Sequence, residues 1–131
     1  MPSLEVFLVT PERELWSGSA TMVIAHGVDG DVGILAGHAP MLIRLAPSVL
    51  RVQHDGDEEK AAVDGGFLHL TTDGDATRVD VLASHAVLAG DVDEGAEQKR
   101  KAELEAMLQA DKDNESAKEE LQKVVRRLEL V

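Results

Sequence analysis

Turn-forming residues recur at short intervals through the first two-thirds of this 131-residue chain, and this spacing constrains the fold more than any other feature. Gly and Pro, several of them next to Asp, interrupt the sequence about every 8–12 residues. The interruptions fall at Pro11, Gly18, Asp29-Gly30, Gly37 to Pro40, Pro47, Asp55-Gly56, Gly65-Gly66 and Asp73-Gly74. Short strands at that spacing are typical of a β-sandwich or a flattened barrel.

The segments between these turns carry apolar residues with a period of two. Leu4, Val6 and Leu8 alternate with other residues, and so do Val79 and Val81. Because successive side chains of a strand point to opposite faces, this pattern predicts strands with one buried face. The chain has two Phe, one Trp and no Tyr, so the predicted core is aliphatic.

The tripeptide Asp-Gly-Asp occurs three times, at residues 29–31, 55–57 and 73–75. An EF-hand calcium loop needs alternating acidic residues, a Glu at its twelfth position and a helix on either side, and none of the three has that context. Each lies between strand-like segments, where Asp-Gly is a common hairpin turn whose two central residues need positive φ. We therefore predict three hairpin turns.

The pattern becomes helical after about residue 88. Ala96 to Ala110 consists almost entirely of good helix formers, and residues 111–114 then interrupt it. Ser116 and Glu119 have the capping-box spacing. The segment after Ser116 has helical apolar periodicity, at Ala117, Leu121, Val124, Val125 and Leu128. The sequence thus predicts a β-sandwich domain over residues 1–87 and an antiparallel two-helix hairpin over residues 88–131.

The predicted hairpin is expected to be detachable. Helices of about 14 residues are only marginally stable alone in water. The two helices must therefore bury their apolar faces against each other, the sandwich or a partner. Gly90 and Gly95 flank the segment that connects it to the sandwich and allow it to move.

Several function classes are excluded by composition. The net charge of −12 argues against nucleic acid as a partner and against adhesion to anionic lipid. No apolar stretch is long enough to span a bilayer, so no direct lipid insertion is expected. Residues 1–6 lack a charged start and an apolar run, so no secretory signal is expected. The absence of Cys excludes thiolate metal sites and fits a cytoplasmic protein.

No catalytic or metal-binding constellation is recognisable. The histidines have no metal-ligand spacing, at positions His26, His38, His54, His69 and His85. No serine has the context of a nucleophile elbow, and no glycine cluster matches a phosphate loop. Two basic clusters, Lys99-Arg100-Lys101 and Arg126-Arg127, form either a solvated helix face or a docking surface for an acidic partner.

Four segments, taken in order, resemble the epsilon subunit of F-type ATP synthases. They are Val9 to Gly18, Val32 to Leu42 with its Gly-His-Ala-Pro loop, Val63 to Leu68 with its Gly-Gly-Phe-Leu turn, and Val79 to Ala83. The resemblance covers almost the whole chain. It implies a β-sandwich of about ten strands followed by two helices, and a non-catalytic rotor subunit of the central stalk.

The same resemblance implies partners and a location. The sandwich would bind the gamma subunit and the c-ring and so couple them during proton-driven ATP synthesis. The hairpin would restrain ATP hydrolysis by extending into the alpha/beta catalytic head. The complex would lie at the cytoplasmic face of the plasma membrane, with this chain peripheral. Asp29 and Asp31 are then expected to face the c-ring, and His38 to lie near gamma or the c-ring, or else only to fill its own turn.

The chain departs from the family's ATP-binding motif, Ile/Leu-Asp-x-x-Arg-Ala. Val92 and Asp93 keep its first two positions, but Ala96 and Glu97 replace the Arg and Ala. Without that guanidinium a major phosphate ligand is missing, so ATP is expected to bind weakly or not at all, even if Lys123, Arg126 and Arg127 contribute. A β-sandwich adaptor with a helical tail is the alternative reading of the chain, and a stand-alone enzyme is a distant third.

Overall fold

The computed structural model describes residues 3–131. Met1 and Pro2 lie outside the described residues. They are the first residues of the predicted sandwich domain and of the N-terminal segment in which no secretory signal is expected. The described range contains ten strands and two helices, as predicted. The strands are β1 Ser3–Val9, β2 Glu14–Ala20, β3 Met22–Gly27, β4 Gly30–Ile34, β5 Met41–Leu45, β6 Ser48–His54, β7 Asp57–Val63, β8 Gly66–Asp73, β9 Ala76–Ala83 and β10 Ala86–Leu88. A 3-10 turn, Ala89–Asp91, leads into α1 Glu94–Ala110 and α2 Glu115–Leu128.

The strands form one sheet that folds over itself. Its order is β10-β7-β6-β3-β5-β8-β9-β1-β2, with β4 paired to β3, and β2 lies against β6. The β1–β9 pair is parallel, and the other described pairs are antiparallel. The enclosed core is aliphatic, as predicted, and includes Leu4, Val6, Leu8, Val23, Ile34, Leu50, Val63, Leu68, Leu70, Val79 and Val81.

The three Asp-Gly-Asp segments all lie at hairpin turns, but only one turn has the predicted geometry. Asp55 and Gly56 have φ of 47° and 82°, as the predicted turn requires. The turn between β3 and β4 instead consists of Val28 and Asp29, because Gly30 already pairs with Gly27. The turn between β8 and β9 consists of residues 74 and 75, of which only the glycine has positive φ, at 61°. Strand register therefore decides which residues turn, and the dipeptide alone does not.

The helical hairpin has a small core of its own. Leu104 of α1 and Ala117 and Val124 of α2 are almost fully buried, and the partly buried Leu108, Leu121 and Leu128 pack against them. The cluster confirms the predicted apolar periodicity of the second helix at Ala117, Leu121, Val124 and Leu128, whereas Val125 lies outside it. The predicted capping box at Ser116 is wrong. Asn114 precedes it and already caps α2, because its side chain accepts a hydrogen bond from the Ala117 N–H at 3.0 Å.

The hairpin lies on the outer face of β6 and β7, which α2 contacts. Ala61, Ala62 and Val63 are consecutive residues of β7, and all are buried. Ala61 and Val63 belong to the sandwich core. Ala62 points the other way, so its burial marks the place where α2 covers the sheet. The sandwich core and the hairpin core nevertheless remain two separate clusters.

Candidate functional site

The sequence-predicted contact residues lie at two opposite ends of the sheet. The Val28-Asp29 turn lies beside β5 and the start of β8. The Val28 N–H donates to the carbonyl of Arg44 on β5 at 2.9 Å, and Asp29 lines a cavity of about 320 Å³ with Phe67 of β8. His38 lies at the other end of β8, where its carbonyl accepts from the Thr72 hydroxyl at 2.8 Å. The structure therefore brings Asp29 and Asp31 together and leaves His38 apart from them.

The acidic turn is exposed and contains one internal side-chain hydrogen bond. The Asp31 side chain is 71% exposed and accepts from Nδ1 of His26 at 2.7 Å. These two residues are directly opposite in the β3–β4 pairing, so the hairpin register brings them together. Asp29, at the tip of the turn, is exposed. The turn thus presents negative charge to solvent, and His26 orients the Asp31 carboxylate.

The loop that contains His38 is fixed by local hydrogen bonds. Gly37 has φ of 87°, and its N–H donates to the buried Thr77 hydroxyl at 2.7 Å. Nδ1 of His38 donates to the Ala39 carbonyl at 2.8 Å. His38 is therefore oriented by its own loop, as the local interpretation expects, while part of its ring remains accessible.

An apolar patch covers the outer face of the sheet beside the acidic turn. Phe67 of β8 pairs with Leu82 of β9, and their exposed fractions are 49% and 51%. Leu42 of β5 is 65% exposed and lies two residues from Arg44, the partner of Phe67 across β5–β8. Phe67 and Leu82 also line a cavity of about 400 Å³ with Val9 and Pro11. We call Leu42, Phe67 and Leu82 the apolar patch; clustered exposed apolar side chains mark interaction surfaces.

The residues at the degenerate ATP motif have structural roles. Val92 ends the 3-10 turn, and the Asp93 carboxylate caps α1 by accepting from the Ala96 N–H at 3.1 Å. Glu97 stands where the motif has Ala, and its Oε2 lies 3.5 Å from Nη1 of Arg127. Glu97 therefore places a negative charge where the motif has an uncharged residue. This charge disfavours the binding of a phosphate beside it.

The arginines of the hairpin are already paired with carboxylates. Arg100 binds Glu120 through two hydrogen bonds, of 2.8 and 2.6 Å, and so joins α1 to α2. Its hydrogen bonds to Glu120 and Glu103 raise the Arg100 pKa, and the hydrogen bond from Arg100 lowers the pKa of Glu120. Arg126 pairs with Glu129 within the last turn of α2.

The remaining basic candidates differ in exposure. Lys99 is exposed and Lys101 and Lys123 are partly buried. No ion pair is found for these three lysines within residues 3–131. The predicted docking set therefore divides into three arginines engaged inside the chain and two lysines, Lys99 and Lys101, that remain available to a partner.

Arg127 connects the hairpin to the sheet. Its Nη2 lies 2.7 Å from Oδ2 of Asp64, in the β7–β8 turn, and the two side chains are 16% and 7% exposed. This contact was not expected from the sequence, because its partners are 63 residues apart. The one available signal was the run Ala61-Ala62-Val63, whose continuous apolar character indicates a strand covered on both faces.

The described residues contain neither a metal-binding cluster nor a membrane-spanning helix. Across residues 3–131, no three His, Asp or Glu side chains come close enough together to hold a metal ion. Neither helix in the same range is long and apolar enough to cross a bilayer.

Comparison with known proteins gives consistent similarities in sequence and fold. Residues 3–89 match the family described as "ATP synthase, Delta/Epsilon chain, beta-sandwich domain". The chain is 43% identical to the ATP synthase epsilon chain of Chromohalobacter salexigens, covering 100% of this chain and 93% of that one. It is 40% identical to the ATP synthase epsilon chain of Corynebacterium diphtheriae, covering 97% of each.

The fold is also similar to that of a chain in a cryo-EM structure of the Euglena gracilis mitochondrial ATP synthase, which comprises OSCP, F1 and the c-ring in rotational state 1. The TM-score is 0.76 at 21% sequence identity, and the match covers 99% of this chain and 79% of that one.

Proposed function

Because the chain belongs to the ATP synthase epsilon-chain family, whose members are non-catalytic subunits of that enzyme, we propose that it couples the gamma subunit to the c-ring in the rotor. It would act mechanically during proton-driven ATP synthesis, as a peripheral subunit at the cytoplasmic face of the plasma membrane. Residues 1–87 would form the rotor-contacting part and residues 88–131 the regulatory part.

The observation that carries this proposal is the apolar patch. Leu42, Phe67 and Leu82 are each about half exposed or more, although the chain has a full aliphatic core in which to bury such side chains. A patch of this kind is stabilised when a partner covers it. We assign the apolar patch to the gamma subunit, because a permanent rotor contact gains most from apolar burial.

The acidic turn is assigned to the c-ring. Asp29 lines a cavity with Leu42 and Phe67 of the apolar patch, and Asp31 follows on the same hairpin, so one molecule can use both surfaces at once. Basic groups on the polar loops of the ring would complement them. His38 lies at the far end of β8 and is therefore assigned to a separate contact or to its own loop alone.

The hairpin is assigned a regulatory role. It has its own core and lies on the sheet without merging into the sandwich core, so it can leave the sheet as a folded unit. When extended, it would enter the alpha/beta catalytic head and restrain hydrolysis, with Lys99 and Lys101 available to acidic surfaces there. ATP is proposed to bind weakly or not at all, because Ala96 replaces the motif arginine and Arg126 and Arg127 are paired.

Reconstitution with purified gamma and c-ring tests the rotor assignment. Phe67→Ser removes the centre of the apolar patch and is expected to weaken binding to gamma by roughly 30-fold, as for an interface hot spot. Met107→Ser is the matched control, because Met107 is 43% exposed but lies on α1. Equal binding by the Phe67→Ser and parent chains would refute the assignment of the patch.

A further inference from the structure

One charged cluster links the hairpin to the sheet. Among residues 3–131, Asp64–Arg127 is the one side-chain ion pair or hydrogen bond that links residues 3–88 to residues 94–131. The other ion pairs of the hairpin, such as Arg100–Glu120 and Arg126–Glu129, lie within it. Apolar contact is present at the buried Ala62 of β7, but the two hydrophobic cores remain separate clusters.

The cluster is buried enough to matter energetically. Asp64 is 7% exposed, Arg127 is 16% exposed and Glu97 is 20% exposed. The Oδ1 atom of Asp64 is buried and has no hydrogen-bond partner among the described residues, so Arg127 supplies the compensation for this carboxylate. A charge left without its partner in such a place is strongly unfavourable, whereas the same side chain becomes solvated once the hairpin leaves.

The sheet holds Asp64 in a fixed position. Its N–H donates to the His85 carbonyl at 2.9 Å, and the next residue, Gly65, accepts from the Ser84 N–H at 3.3 Å. Both bonds tie the β7–β8 turn to the link between β9 and β10. On the hairpin side, Arg127 contacts Glu97 of α1 while belonging to α2, so both helices meet at one guanidinium.

We propose that Asp64, Arg127 and Glu97 form a latch that holds the hairpin on the sheet, and that opening it releases the hairpin as a folded unit. Arg127 moves with the hairpin, whereas Asp64 stays with the sheet. Release separates Arg127 from Asp64 but leaves Arg127–Glu97 and Arg100–Glu120 intact, because these residues move together. The latch supplies the release step by which the hairpin would come to restrain hydrolysis, and in that sense it rests on the proposed function.

A spin-label experiment on the isolated full-length chain tests the latch. The chain has no cysteine, so Thr71→Cys on β8 and Gln109→Cys on α1, both exposed, place one label on each part. Pulsed EPR then gives the populations with short and long distances. Asp64→Asn and Arg127→Met are each expected to raise the undocked population about tenfold. Asp57→Asn, at an exposed carboxylate at the start of β7, is the matched control and is expected to leave the populations unchanged.

The double variant distinguishes a direct interaction between Asp64 and Arg127 from two independent effects on the undocked population. If the two side chains act through each other, Asp64→Asn with Arg127→Met changes the population no more than either single variant. If the double variant instead raised the undocked population about a hundredfold, the two effects would be independent and the proposal would be overturned. Single variants that behave like Asp57→Asn would also overturn it.

Amide exchange tests whether the released hairpin remains folded. The amides of Leu104 and Val124 are expected to stay protected in Asp64→Asn, because the hairpin core does not include the sheet. Loss of that protection would overturn the claim of release as a unit. Both measurements use the chain alone, so their failure would leave the rotor assignment untouched, and failure of reconstitution would leave the latch untouched.

Discussion

Arg100 of α1 and Glu120 of α2 form a two-point ion pair, with Nε–Oε1 and Nη2–Oε2 distances of 2.8 and 2.6 Å. It joins the helices of the hairpin at their partly exposed edge, where solvent weakens any single pair. Its value to the molecule is geometric, because two parallel hydrogen bonds fix the relative position of the helices.

This pair predicts an acid-sensitive hairpin. The hydrogen bond from Arg100 lowers the Glu120 pKa below its ordinary value of 4.5. A carboxylate with a lower pKa in the folded state stabilises that state above its unfolded pKa, and the contribution is lost as the pH falls through the folded value. Glu120→Gln should therefore reduce the fall in hairpin stability below about pH 4.5, followed by helical circular dichroism. Glu119 is an exposed neighbour, so Glu119→Gln should leave the pH dependence of hairpin stability as in the parent chain. Identical pH curves for the Glu120→Gln and Glu119→Gln variants would contradict the prediction.

Any side chain at Gly66 is expected to destabilise the sheet. Its φ is 129°, and a Cβ atom there would lie 2.2 Å from the Leu82 carbonyl oxygen. Gly66→Ala is expected to lower the free energy of unfolding by at least about 2 kcal/mol in urea titration. Gly74→Ala is the control: φ is also positive, at 61°, but nothing lies within 4 Å, so the expected cost is about 1 kcal/mol. Equal costs would show that the contact with Leu82 does not matter.

Leu104 is expected to stabilise the hairpin without affecting the stability of the sheet. It is fully buried, at 0% exposure, and belongs to the hairpin core. Leu104→Ala should destabilise the hairpin by about 2–5 kcal/mol while amides of the sheet keep their protection in hydrogen exchange. Met107→Ala, three residues along the same helix, should change stability by less than about 0.5 kcal/mol. Loss of protection throughout the sheet would mean that the two cores are coupled.

The degenerate motif predicts a gain of function. Isothermal calorimetry on the parent chain should detect no tight ATP binding, and Ala96→Arg with Glu97→Ala should create measurable affinity by adding a guanidinium and removing a carboxylate. Glu97→Ala alone is the control, because it removes the carboxylate without supplying the phosphate ligand. Micromolar affinity in the parent chain, or no gain in the double variant, would contradict this explanation.

The sequence predicted elements more reliably than the contacts between them. Alternation over Leu4 to Leu8 and over Val79 to Val81 identified strands and their buried faces, because strand geometry is local. Asp29-Gly30 and Asp73-Gly74 were placed at turns correctly but in the wrong turn positions, because register depends on the partner strand. The Asp64–Arg127 contact joins distant segments through the way α2 lies on β7, which no local pattern encodes.

Truncation of the hairpin in the reconstituted ATP synthase tests the central claim most directly. The cut belongs after Asp91, because β10 continues to Leu88 and pairs with Ala61 to Val63, so an earlier cut would damage the sheet. The truncated chain is expected to assemble with gamma and the c-ring and to raise ATP hydrolysis above that of the complex with the full-length chain. Unchanged hydrolysis in a fully assembled complex, or failure of the full-length chain to be retained by gamma, would contradict the account.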